Sequence, residues 1–81
     1  MREVKVEIGK VYVPMARRKT LDPARVAALA EDILENGQKA PILVRPDSDR
    51  LVLVEGLHRL EACRALGDET VIALMVQARK A

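Results

Sequence analysis

The sequence predicts an α+β fold, a small mixed β-sheet with two main helices, and three observations predict it. Segments of two-residue hydrophobic period or short apolar runs alternate with two segments of helical period, in the order strand, helix, strand, strand, helix, strand. Proline or glycine stands at the junctions, at Pro14, Pro23, Gly37, Pro41, Gly56 and Gly67. A chain of 81 residues forms one small domain, residues 1–81, with a modest core. Helices set between strands in so short a chain imply a mixed sheet.

Each element has its own justification. From Glu3 to Ile8, the apolar Val4, Val6 and Ile8 alternate with charged residues, as in a half-buried strand. Val11 and Val13 continue the pattern past Gly9 until Pro14 ends it. Met15 to Lys19 reads as a loop carrying three consecutive cations, Arg17, Arg18 and Lys19. Thr20 or Asp22 can cap the first helix, Pro23 suits its first position, and Gly37 can close it in a left-handed conformation. Val26, Leu29, Ala30, Ile33 and Leu34 form its apolar stripe, with Arg25, Asp32 and Glu35 off it. Ile42-Leu43-Val44, bounded by Pro41 and Pro46, reads as a buried strand. Asp47-Ser48-Asp49 supplies a turn, and Leu51 to Val54 returns as the next strand. The second helix runs roughly from Leu57 to Leu66 and is closed by Gly67; Thr70 to Val76 is the closing strand and Gln77 to Ala81 a tail.

Composition excludes several function classes. Phe and Trp are absent and Tyr12 is the only aromatic, so the core must be aliphatic and a single-strand-binding platform of stacked aromatic rings is not expected. A net charge of +2 permits a polyanionic partner without demanding one. The single cysteine, Cys63, cannot form an internal disulfide and falls on the Leu60-Cys63-Leu66 stripe, so it reads as a small core residue. One His and one Cys do not make a metal-ligand set, and no Ser-His-Asp or Cys-His constellation can be assembled. No stretch approaches a membrane span, and the charged, alternating N-terminus is unlike a signal peptide. No membrane partner and a cytoplasmic location are therefore expected.

The turn Glu55-Gly56-Leu57-His58-Arg59 is where these residues concentrate chemistry. A buried strand that passes through glycine into a helix leaves the first helical amides without partners, at the positive end of the helix dipole. Gly56 lets backbone approach an anion, while His58 and Arg59 add cationic donors on the first turn. Such parts make a phosphate site. Glu55 could orient Arg59, hold a cation, or act on a ligand hydroxyl.

The segment Leu53-Val54-Glu55-Gly56-Leu57-His58-Arg59-Leu60-Glu61-Ala62-Cys63-Arg64-Ala65-Leu66-Gly67 resembles the central motif of the ParB/sulfiredoxin superfamily. Leu21-Asp22-Pro23-Ala24-Arg25-Val26 is similar to the start of the first sulfiredoxin helix. Asn36-Gly37-Gln38 through Pro41-Ile42-Leu43-Val44-Arg45 resembles the helix-to-strand passage of ParB N-terminal domains, and Glu69-Thr70-Val71 through Val76-Gln77 the closing strand. The resemblance covers nearly the whole chain in order. It implies a ParB/sulfiredoxin-like fold and a nucleotide ligand, ATP or CTP with magnesium. Gly56, His58 and Arg59 match its phosphate-binding turn, Arg25 stands at a cationic position near the nucleotide, and Arg17 or Arg18 at a ligand-facing arginine. Leu57 stands where sulfiredoxins carry their catalytic cysteine, so sulfinic acid reduction is not expected. ParB partition proteins carry Glu-Arg where this chain has Leu57-His58, and Ala28 and Asp32 replace two polar positions that face the nucleotide.

The expected function is thus that of a ParB-like domain binding a nucleotide or another phosphate group at residues 55–59, in DNA-related or regulatory work. Two alternatives belong to other classes: a DNA-associated module contacting backbone phosphates, and a weak phosphotransferase or nuclease. The alternating strands Val4 to Ile8 or Thr70 to Val76 could lie at a sheet edge and pair with a second copy as a homodimer.

Overall fold

The computed structural model describes residues 2–76. Five strands and three helices follow one another as β1 (Glu3–Glu7), β2 (Val11–Tyr12), α1 (Met15–Arg18), α2 (Pro23–Asn36), β3 (Ile42–Asp47), β4 (Arg50–Glu55), α3 (Leu57–Ala65) and β5 (Thr70–Met75). The strands form one mixed sheet in the order β1-β5-β3-β4-β2. β1 pairs antiparallel with β5, β5 parallel with β3, β3 antiparallel with β4, and β4 parallel with β2. The α+β class and the mixed sheet expected from sequence are what the chain forms. Gln77 to Ala81, read as a tail, lie outside the described residues.

The first strand does not continue as its periodicity suggests. A 3-10 turn at Ile8–Lys10 separates β1 from β2, and these two strands occupy opposite edges of the sheet. Strands about 4.8 Å apart would place the edges of a flat five-stranded sheet about 19 Å from each other. The four residue steps from Glu7 to Val11 reach at most about 14 Å. The sheet must therefore curl, and Val6, Ile8, Val11 and Val13 all turn into the same core. β5 is also not an edge: it is paired on both sides, by β1 and by β3, so of the two strands read as possible edges only β1 is one.

Val44, Leu53, Leu57, Leu60, Cys63, Val71 and Ala73 complete the aliphatic core with Ile42. Leu57, Leu60 and Cys63 recur every three residues and turn one face of α3 onto the sheet. Burying side chains such as Leu60 and Leu53 contributes about 2 kcal/mol each. The longer helix, α2, rests on α3 and contains no fully buried residue. Val26, Leu29, Ala30 and Ile33 are half-buried there, but Leu34, placed on the same stripe by its spacing, is 74% exposed. The nine-residue α3 is about 14 Å long and cannot cover the whole of the 14-residue α2, about 21 Å.

Three local departures have physical causes. Met15 to Arg18, read as loop, is one helical turn: Pro14 stands at its N-cap, and the Thr20 amide and hydroxyl both donate to the Arg17 carbonyl, at 3.0 and 2.7 Å. One turn is too short to show a period. Asp22, not Thr20, caps α2, its carboxylate accepting from the Ala24 amide at 3.0 Å. β3 runs on through Pro46 because β5 pairs only with Ile42 to Val44, so beyond that point β3 has one neighbour and tolerates a residue without N–H.

Candidate functional site

β4 delivers the chain to the site through a bulge. Val44 pairs with Leu53 and Leu43 with Glu55, so Val54 is the extra residue. Strict alternation would turn Glu55 to the core beside Leu53. The bulge registers it against Leu43 instead, and its carboxylate is exposed at the mouth of a cleft. Gly56 then adopts φ +106°, ψ 30°, a region that side chains with a Cβ rarely enter. Its backbone lies so close to β3 that an added Cβ would stand 2.8 Å from Cγ2 of Ile42.

From Gly56 the chain enters α3. The first helical bond is donated by the Leu60 amide to the Gly56 carbonyl, 2.9 Å, and Gly56 offers no side-chain cap. The amides of Leu57, His58 and Arg59 thus have no acceptor among the described residues, and they sit at the positive end of α3. The side chain of Leu57 is buried in the core, so only its backbone is free for a ligand.

The cleft in front of these amides has a volume of about 590 Å³. α3 and the end of β4 form one wall, through Glu55 to Arg59. The other wall is one face of α2, where Arg25, Ala28, Leu29 and Asp32 repeat at helical spacing. Arg17 and Thr20, from α1 and the turn behind it, close the rim. Arg17, Arg25 and Arg59 therefore converge on one space, and none of them forms an ion pair or a side-chain hydrogen bond among the described residues. Arg50 and Arg64 elsewhere are paired with Asp47 and Glu61.

Arg17 and Arg18, indistinguishable in the sequence, are separated by the fold. Arg18 turns away from the cleft, its Nε donating to the Val13 carbonyl at 3.1 Å. His58 also differs from the free cationic donor its position suggested. The Asp22 amide donates to Nε2 of His58 at 3.0 Å, so this nitrogen is an unprotonated acceptor and the ring proton sits on Nδ1. The bond ties the first turn of α3 to the cap of α2, holding the two walls of the cleft together.

Asp32 is the second carboxylate at the cleft. Hydrogen bonds from Asn36 and Lys39 to its Oδ1, 3.0 and 3.3 Å, hold its carboxyl below the usual range, and the nearby charge of Arg59 adds to this. Burial raises the thiol of Cys63, helped by the charge of Asp68, and the residue is part of the core. Thr20 and Leu29 were not singled out as site residues by sequence reasoning. The i, i+3, i+4, i+7 spacing from Arg25 to Asp32 is the signal that places Leu29 beside Ala28 on the cleft face.

Comparison with known proteins gives concordant results. The model of the ParB N-terminal domain matches residues 2–81. The probable chromosome-partitioning protein ParB of Campylobacter jejuni is 34% identical over 71 residues, 86% of this chain and 26% of that protein, so the chain spans about a quarter of its length. Among solved structures, sulfiredoxin from Arabidopsis thaliana has a TM-score of 0.86 at 26% identity, covering 96% of this chain and 88% of its own. The C-terminally truncated ParB from Caulobacter crescentus, in complex with CTP-γ-S, has a TM-score of 0.82 at 26% identity, covering 99% of this chain and 47% of its own.

Proposed function

The chain belongs to the family of ParB N-terminal domains, and on that premise we propose that it binds a nucleotide, ATP or CTP, through the phosphates in the cleft before α3. The observation that carries this reading is the convergence of three unpaired arginines, Arg17, Arg25 and Arg59, on the free amides of Leu57 to Arg59. Charge-assisted bonds from guanidinium and helix-terminal amides to phosphate are the strong kind, and an anion relieves the mutual repulsion of the three cations. The CTP-γ-S held by the Caulobacter relative supports the same reading.

The residues present fit magnesium carried in by the phosphates. Magnesium in such sites takes one or two carboxylates and keeps phosphate oxygens and water as its other ligands. Glu55 is exposed at the cleft for that role, whereas Asp32 already accepts from Asn36 and Lys39. Bound there, the ion would neutralise phosphate charge.

The name of the Campylobacter relative supports a setting in chromosome partitioning, where a nucleotide-bound domain does DNA-related or regulatory work. Titration of ATP or CTP with magnesium into the ¹⁵N-labelled chain tests the binding itself. Shift changes concentrated at the amides of Gly56 to Arg59 are the expected result. No change at millimolar ligand would sink the reading.

A further inference from the structure

An edge strand carries a row of backbone donors and acceptors that its own sheet does not use. The two edges of this sheet are unlike. β2 is two residues long, and Cζ of Arg50 lies 4.1 Å from the ring centroid of its Tyr12. β1 is five residues long, and its outer side meets no other strand among the described residues. One bond tells which of its groups are free. The Ile8 amide donates to the Glu69 carbonyl at 2.9 Å, one step beyond the Glu7–Thr70 pair. Hydrogen-bonded pairs alternate along an antiparallel ladder, so Val4 and Val6 bond to β5 while Glu3, Lys5 and Glu7 turn their N–H and C=O groups outward. The same three residues carry the exposed side chains, in the order acid, base, acid.

We propose that the free edge of β1 pairs antiparallel with β1 of a second copy of this chain, centred on Val4. Only registers that set outward residues against outward residues make the hydrogen bonds, so the two-fold axis must pass Val4, Lys5 or Val6. Centring on Lys5 opposes Lys5 to Lys5 and Glu3 to Glu7, like charges throughout. Centring on Val6 keeps opposite charges together but runs Val4 against Ile8, where the backbone has left the strand for the 3-10 turn, and Val6 is already buried. Centring on Val4 sets Glu3 of each copy against Lys5 of the other, with about four backbone hydrogen bonds. It also covers Val4, the half-buried apolar residue of β1. A lysine on an edge strand ordinarily guards it against pairing; here Glu3 gives that lysine a partner. No residue of β1 lines the cleft before α3, so the contact leaves that site open.

Sedimentation equilibrium over about 0.01–1 mM chain should show monomers passing to dimers, and amide shifts should move with concentration at Glu3 to Glu7. Lys5→Glu and Glu3→Lys, both on exposed residues, should each weaken the dimer at least about tenfold, and the double variant should restore it. Thermal melts equal to the parent's certify the fold of each. Two Val4 residues paired in this register stand about 4.5 Å apart at Cα, within disulfide range. Val4→Cys should therefore cross-link two chains under mild oxidation, and Lys5→Cys should not. A chain that stays monomeric at about 1 mM overturns the proposal. So does a dimer that survives either charge reversal, a double variant that fails to regain it, or cross-linking at Lys5→Cys in preference to Val4→Cys.

Discussion

Replacing Gly56 with alanine should destabilise the domain by about 2–5 kcal/mol, the sum of two separate effects. The first is conformational: a φ of +106° places a Cβ in a region that costs about 1–2 kcal/mol or more for a residue other than glycine. The second is steric. The new Cβ would lie 2.8 Å from Cγ2, 3.0 Å from Cβ and 3.1 Å from Cα of Ile42. Ile42 is fully buried, and its Cα belongs to β3, paired with β5. Neither side chain nor strand can move freely, and such overpacking costs about 1–3 kcal/mol. A domain of this size has about 4–12 kcal/mol in total, so the loss is a large fraction of it. In a thermal melt followed by circular dichroism, the midpoint should fall by at least about 8 °C. Gly9→Ala is the control, because a Cβ there meets nothing within 4 Å; it should shift stability by less than about 0.5 kcal/mol. Ile42→Ala deletes Cγ2, the nearest of the three atoms, and leaves Cβ and Cα in the way. The double variant should therefore be more stable than the sum of the singles by about 1 kcal/mol. A Gly56→Ala midpoint within about 4 °C of the parent, or strict additivity with Ile42→Ala, refutes the tight approach of the turn to β3.

Further predictions follow from the same geometry. Arg59→Ala should weaken ATP or CTP at least tenfold, since one charge-assisted bond contributes about 1.5–3 kcal/mol, and a calorimetric affinity equal to the parent's would count against its role. His58→Leu removes the acceptor of the Asp22 amide; about 0.5–1.5 kcal/mol should be lost in denaturant melts, and hydrogen exchange at the Asp22 amide should accelerate. The carboxyl of Asp32 titrates below its unfolded value in the folded protein. Its contribution to stability is therefore present above the unfolded pKa and is lost as pH falls through the folded one. Lys39→Gln should raise the folded value, read by NMR titration of the Asp32 carboxyl, and an unmoved titration would contradict the assigned cause. Cys63, buried and with its thiol raised, should react with iodoacetamide only as fast as the domain opens. Alkylation as fast in native buffer as in denaturant would show the core placement to be wrong.

Much of this arrangement was legible in the chain because it is written in local terms. The cap-and-proline start of α2, the Asp47-Ser48-Asp49 turn and the strand-Gly-helix passage at Glu55 to Leu57 depend on neighbours in sequence, and all appear where expected. What was not legible depends on distant partners. Nothing in Val4 to Val13 says that the strand will break and cross to the far edge of the sheet, because both halves keep the same hydrophobic alternation. The exposure of Leu34 was hidden for a similar reason: the stripe of α2 announces a partner but not how long that partner is. At the site, residue types indicated an anion, but Arg17 and Arg18 could be told apart only by the Val13 carbonyl that takes Arg18 away. His58 required the amide of Asp22, 36 residues earlier.

The place of β5 in the sheet also governs when the fold can form. Among the described residues β1 has no other neighbour, and β3 reaches β1 only through β5. During synthesis, residues 3–7 must wait for residues 70–75 to leave the ribosome before they have anything to pair with. Until then the β3-β4 hairpin and α3 can gather, while the amino-terminal strand hangs loose. Closure is thus a late, long-range event that joins the opening and closing strands of the domain, and its entropic cost makes folding slow for a chain so short. A ribosome-stalled fragment ending before Thr70 should already protect the hairpin from proteolysis while leaving Glu3 to Glu7 open to cleavage.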